Sequence, residues 1–133
     1  MKKTVLIYRF PEEEKTALRK LAGTAVDVIP VPPARYGVSI AELLPPKEEE
    51  AAAGGEKDLE GSIRERMMIF AGFEEDAFDA FLASLRENRI GSGALKAVLT
   101  PVNARWTSLE LYGELFKERE AFFRMRGGQK PWR

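Results

Sequence analysis

Twice along this chain an apolar run leads into a helix with an acidic first turn and then into a second apolar run. The four runs are Val5–Phe10, Val26–Val31, Met67–Phe70 and Leu95–Leu99. Each is short, rich in Val, Ile, Leu and Phe and bounded by turn residues, which is the pattern of strands. Between the first pair, Ala17, Leu18, Leu21 and Ala22 share one face of a helix predicted over Glu12–Ala22. Pro11 suits its start, Glu12, Glu13 and Glu14 complement the positive end of its dipole, and Gly23 follows as a stop. Between the second pair, Phe78, Phe81, Leu82 and Leu85 predict a helix over Glu74–Asn88, opened by Glu74, Glu75 and Asp76 and followed by Gly91-Ser92-Gly93. After the second strand of each half the same signatures return in the same order. They are Ala34-Arg35-Tyr36 and Ala104-Arg105-Trp106, then Ser39-x-x-Glu42-Leu43 and Thr107-x-x-Glu110-Leu111. The expectation is an internal duplication of one strand–helix–strand unit.

Such a duplication predicts an α/β fold with a four-stranded sheet. The first and third strands are continuously apolar and belong in the centre, whereas Asp27 and Pro30 in the second and Lys96 in the fourth mark edges. The order 2-1-3-4 follows, mostly parallel, with helices on both faces; fully parallel strands would make a small doubly wound sheet. A reversed third strand would instead give a ferredoxin-like α+β fold of order 4-1-3-2 with one open face. With 133 residues, 44% of them hydrophobic, the chain fits one domain with a real core. Its parts are a first half over 1–44, a flexible acidic connection over 45–62 with net charge −4, a second half over 63–126 and a loose tail over 127–133. The last helix, Ser108 to Met125, carries Leu111, Tyr112, Leu115, Phe116, Phe122 and Phe123 on its apolar side.

Composition removes much active-site chemistry. The chain has no Cys and no His, so disulfides, Cys/His zinc sites, thiol nucleophiles and imidazole catalysis are excluded. Twenty-one basic residues balance 21 acidic ones, which gives no overall attraction to nucleic acid or acidic membranes. The four apolar residues Val5 to Tyr8 are too short for a secretory signal, and no run suits a membrane span. A cytoplasmic protein is expected.

The polar residues after the edge strands are the candidates for ligand binding: Arg35 in the first half, and Thr100, Asn103, Arg105, Trp106 and Thr107 in the second. An arginine near a helix start can hold a small anion. However, the two arginine loops follow opposite edges, about three strand spacings or roughly 14 Å apart, so they are not expected to share one anion. The other two strand ends lead into acidic turns that would repel phosphate. Ser39 with Glu42, and Thr107 with Glu110, have the spacing of helix-capping boxes. Gly91 to Lys96 lacks the phosphate-loop pattern and precedes a strand. No pair of carboxylates is forced into one cleft. No catalytic residue, metal site or cofactor is therefore assigned.

Leu115, Phe116, Phe122 and Phe123 are the candidate partner interface, because the last helix outreaches what a four-stranded sheet covers. The stretch from Lys117 to Arg133 has net charge +4 with interleaved aromatics, a pattern that can contact RNA, although a solvated helix end explains it as well. The block Met68-Ile69-Phe70-Ala71-Gly72-Phe73, followed by Leu95 to Asn103 and Trp106, resembles a small bacterial domain family of unknown function over about residues 66–120. That resemblance implies a bacterial, intracellular origin and brings no activity, cofactor or site residue. The functional expectation is a non-catalytic module that docks a protein partner or a second copy of itself. Small-anion binding by the loop after the fourth strand is the alternative, and nucleic-acid contact by the tail the third.

Overall fold

A computed structural model of the chain describes residues 2–44 and 60–126. Two central strands, β1 (Thr4–Tyr8) and β3 (Met67–Ala71), are buried along their whole length. Their largely apolar sequence makes this possible, and the two hydroxyls of β1 find partners, Thr4 in the Lys2 carbonyl and Tyr8 in Ser108. The edges are β2 (Asp27–Pro30) and β4 (Leu95–Val98), half-buried, in the order β2-β1-β3-β4. Pro30 stands at the end of its strand on the outer edge, where a missing amide costs no ladder bond. Both the order and the assignment of edges agree with the sequence.

β1 pairs with β2, and β3 with β4, in parallel, whereas β1 and β3 run antiparallel. The sheet is therefore mostly parallel, but it is neither the fully parallel doubly wound form nor the ferredoxin-like order. The central register is symmetric. Thr4 faces Ala71, Tyr8 faces Met67, and Leu6 faces Ile69 at the middle. Each half contributes one helix, α1 (Glu12–Ala22) and α2 (Glu75–Glu87). Crossovers of one hand in two units that face opposite ways put both helices on the same side. There Leu18, Ala22, Leu82 and Leu85 pack on Val5, Ile7, Met68 and Phe70.

The other face is covered by α3 (Ser108–Arg126) and by 3-10 turns. Leu111 packs there with Leu6, Tyr8, Ile69, Tyr36 and Ile40, and Tyr112 and Leu115 lie half-buried against this core. Short 3-10 turns at Pro33–Arg35, Ile40–Leu43, Glu60–Ser62 and Asn103–Arg105 complete the described elements. The acidic connection, apart from its end at Glu60–Ser62, and the tail 127–133 lie outside the described residues.

The two halves also match in detail. The turn from β1 to α1 holds Arg9 at φ +64, and the turn from β3 to α2 holds Gly72 at φ +81. Each residue follows its strand and precedes a phenylalanine, Phe10 or Phe73. Counting from these turns, Ile7, Phe10, Lys15 and Leu18 take the places that Phe70, Phe73, Phe78 and Phe81 take in the second half.

Candidate functional site

The loop after β4 spends its polar groups on itself. The Thr100 amide donates to Asn103 Oδ1 at 2.9 Å, the Asn103 amide donates to Thr100 Oγ1 at 3.0 Å, and Asn103 Nδ2 donates to the Val98 carbonyl at 3.1 Å. Asn103 is buried, and these bonds fix the loop that a charged ligand would otherwise have to order. Thr107 forms the expected capping box: its hydroxyl accepts from the Glu110 amide at 3.1 Å, and Glu110 Oε1 accepts from the Thr107 amide at 2.9 Å. Trp106 is half-buried against the second core, and Arg105 is exposed.

In the first half the matching signature is used differently. Ser39 makes no side-chain cap, so the capping box with Glu42 does not form; the Glu42 amide bonds the Ser39 carbonyl within a 3-10 turn instead. Arg35 is buried, and its Nη2 donates to the Glu42 carbonyl at 3.3 Å. With Glu42, Leu43 and Ile29 it lines a hollow of about 160 Å³.

The segment that follows the Arg35 bend reaches the Arg105 bend across the sheet. Ser39 and Thr107 pair as an antiparallel bridge, and the Ile40 amide donates to the Trp106 carbonyl at 2.8 Å. After each edge strand the chain folds inward over the face that α1 and α2 leave open, and Ser39 and Ile40 meet Trp106 and Thr107 there. A rim-to-rim distance along the sheet misses that return. Beneath this junction Tyr8 OH lies 2.7 Å from Ser108 Oγ, both fully buried. Burial pushes the Tyr8 phenol up, and the Ser108 hydrogen bond offsets this only in part. The pair ties β1 to α3.

A larger cleft, of about 400 Å³, opens beyond the carboxyl ends of β1 and β2. Arg9, Phe10 and Lys15 line one side, and Val31, Pro32 and Tyr36 the other. From the sequence, the acidic helix start Glu12-Glu13-Glu14 predicts a strand end that repels phosphate. Two of these acids have cationic partners, and one of those partners is Lys15 of the cleft wall itself. Glu14 Oε2 takes the Arg66 guanidinium and the Gly91 amide, both at 2.6 Å. Glu12 pairs with Lys15 at 2.7 Å in an exposed position, which holds its carboxyl below the usual range through the Lys15 hydrogen bond and charge. Among the described residues no carboxylate lines the cleft. Only the alternation of Pro30, Pro32 and Pro33 with apolar residues could have hinted at a rigid wall there.

Along α3, Leu115 and Phe122 are half-buried, while Phe116 and Phe123 are 37% and 36% exposed. Arg119 Nη2 donates to Glu65 Oε2 at 2.6 Å and its guanidinium lies over the Phe116 ring at 5.4 Å. The hydrogen bond to Glu65 raises the Arg119 pKa, so this anchor stays charged at any ordinary pH.

Residues 66–122 match the family DUF3783, which is described only as a domain of unknown function. No curated protein and no solved structure is significantly similar to the chain. The DUF3783 segment runs from β3 through most of α3. It includes the loop after β4 and the exposed Phe116, and excludes β1, β2 and the cleft between them. Among the described residues no group of three acidic side chains could hold a metal ion, and no helix is long and apolar enough to cross a membrane.

Proposed function

We propose that the protein is a non-catalytic interaction module that docks a partner protein through α3 and the neighbouring β4 region, a second copy of the chain being the first partner to test. One observation carries this reading. The large exposed hydrophobic residues among those described are Val98, Val102, Phe116 and Phe123, at 44%, 64%, 37% and 36% exposure. All four fall in one stretch of sequence from β4 into α3, although a scattered distribution is the ordinary expectation for single exposed apolar residues. The anion reading at the loop after β4 is less well supported, because Thr100, Asn103 and Thr107 already serve internal hydrogen bonds. In the same reading the protein works in a bacterial cytoplasm and arose by duplication of one unit; the symmetric central register supports the duplication.

Light scattering across a concentration series tests the proposal. The expected result is a concentration-dependent dimer that Phe116→Ser and Phe123→Ser return to monomer with an unchanged circular dichroism spectrum. A monomer at every concentration would remove self-association. A dimer indifferent to both substitutions would move the interface elsewhere.

A further inference from the structure

The two halves bring similar parts to corresponding places and complete them differently. Arg66 stands immediately before β3 as Lys3 stands before β1, and Gly91 precedes β4 by the same spacing as Gly23 precedes β2. Both glycines have positive φ, +71 and +58. Gly23 directly follows α1, and its amide closes that helix by donating to the Arg19 carbonyl at 3.0 Å. α2 ends earlier, at Glu87, and is closed by the Asn88 amide, which donates to the Ser84 carbonyl at 3.1 Å. The Gly91 amide is thus not needed as a cap. It donates to Glu14 Oε2, on the other half, at 2.6 Å.

The Arg66 guanidinium converges on the same oxygen, with Nη1 at 2.6 Å. Arg66 is itself steadied, because Nη2 donates to the Ser92 carbonyl and the guanidinium lies over the Phe10 ring, 5.7 Å from its centroid. The Glu14 side chain is only 15% exposed there. A fixed amide and a fixed guanidinium therefore face one carboxylate oxygen, and charge-assisted donors of this kind select anions. The residue of α2 that matches Glu14 is Ala77, so α2 delivers no acid to the corresponding corner at Lys3 and Gly23. The donors on Glu14 come from the second half, and their acid comes from the first.

We propose that Arg66 and the Gly91 turn form a carboxylate-binding site of the second half, that Glu14 is its resident ligand, and that a free short-chain carboxylate enters when this side chain is withdrawn. Size supports the match. Truncating Glu14 to alanine removes a methylene and a carboxylate, the heavy atoms of acetate, from a largely enclosed position. Acetate can offer the same oxygen to Gly91 and Arg66, whereas benzoate is too wide for the vacated space. In the parent chain tethering keeps the Glu14 carboxylate at a high effective concentration, so dissolved acetate does not displace it. The site is independent of partner docking by α3, since no residue is shared.

Sodium acetate and sodium benzoate, each compared with sodium chloride at equal ionic strength and titrated into the 15N-labelled full chain carrying Glu14→Ala, test it. Acetate is expected to shift the Gly91 amide saturably and to raise the melting temperature toward that of the parent, whereas benzoate and chloride do neither. The parent and Glu14→Gln, whose side chain still fills the space, should not respond at Gly91. Arg66→Gln added to Glu14→Ala should weaken acetate binding about tenfold. If Glu14→Ala is unfolded in chloride, return of the folded spectrum in acetate supports the site equally, and a chain that stays unfolded in acetate counts against it. A Gly91 amide that ignores acetate would overturn the proposal, as would equal responses to acetate and benzoate, a parent chain that responds as strongly, or a response unchanged by Arg66→Gln.

Discussion

The Glu14 carboxylate, on the helix of the first half, accepts the amide of Gly91 from the second half at 2.6 Å. The same oxygen takes Arg66 Nη1 at 2.6 Å, Arg66 also donates through Nη2 to the Ser92 carbonyl, and its guanidinium lies over Phe10. One acid therefore fastens the halves on the face of α1 and α2, and it occupies the glycine turn that an external anion would need. Glu14→Ala leaves an amide and a guanidinium without their acceptor, at a cost of about 1–3 kcal/mol. Glu14→Gln retains an acceptor for Gly91 and should lose less. Urea denaturation of the two variants checks the order.

Gly91 itself is held at φ +71, and a Cβ there would stand 2.8 Å from Met68 Sδ. Its carbonyl also receives Lys96 Nζ at 2.7 Å. Gly91→Ala combines left-handed strain with displacement of a core methionine, so a loss of about 1–3 kcal/mol is expected. Thermal denaturation of Gly91→Ala alone and with Met68→Ala separates the two contributions: the smaller neighbour should remove part of the added penalty.

Tyr8 and Ser108 form a buried hydroxyl pair. Tyr8→Phe leaves the serine hydroxyl unmatched and should cost about 1–2 kcal/mol, while adding Ser108→Ala should recover part of that loss. The pair also sets a pH response. The phenol is raised in the folded chain, mainly by burial, so above its ordinary pKa of about 10 the unfolded chain gives up a proton that the folded one keeps. Stability from Tyr8 is complete below that pH and is lost as pH rises beyond it. Chemical denaturation from about pH 8 to 11 should show a steeper decline for the parent than for Tyr8→Phe.

Asn103 and Arg105 share one 3-10 turn and should respond in opposite ways. Asn103→Ala removes side-chain bonds to the Thr100 amide and the Val98 carbonyl and should cost about 1–3 kcal/mol. Arg105→Ala, on an exposed side chain, should change stability by no more than about 0.5 kcal/mol. Equal losses on calorimetry would mean that Arg105 also braces the loop.

Much of the sheet was legible because burial leaves a direct mark on composition. Val5 to Tyr8 and Met67 to Phe70 had to be covered on both sides, and Asp27, Pro30 and Lys96 had to stand at edges. Strand direction leaves no such mark, since a run buried on both faces reads the same either way. The missing constraint was α3. If the helices of the two units lay on opposite faces, both faces would be taken and Leu111, Tyr112 and Leu115 would have no sheet to cover. Reversal of the third strand frees one face for them. The cleft is not legible for a different reason: three consecutive glutamates read as one repulsive charge in the sequence, whereas Glu12 and Glu14 find separate cationic partners in the fold. The meeting of Ser39 with Thr107 depends on two loops folding back, and no local spacing encodes that contact.

The antiparallel pairing of β1 with β3 makes each half the shield for the other half's bare backbone. Antiparallel alignment with a matched midpoint is also how a strand joins an identical strand across a two-fold axis. A half severed from its mate would expose a sticky, wholly apolar border, and its readiest remedy would be to recruit a twin and rebuild the same seam from two molecules.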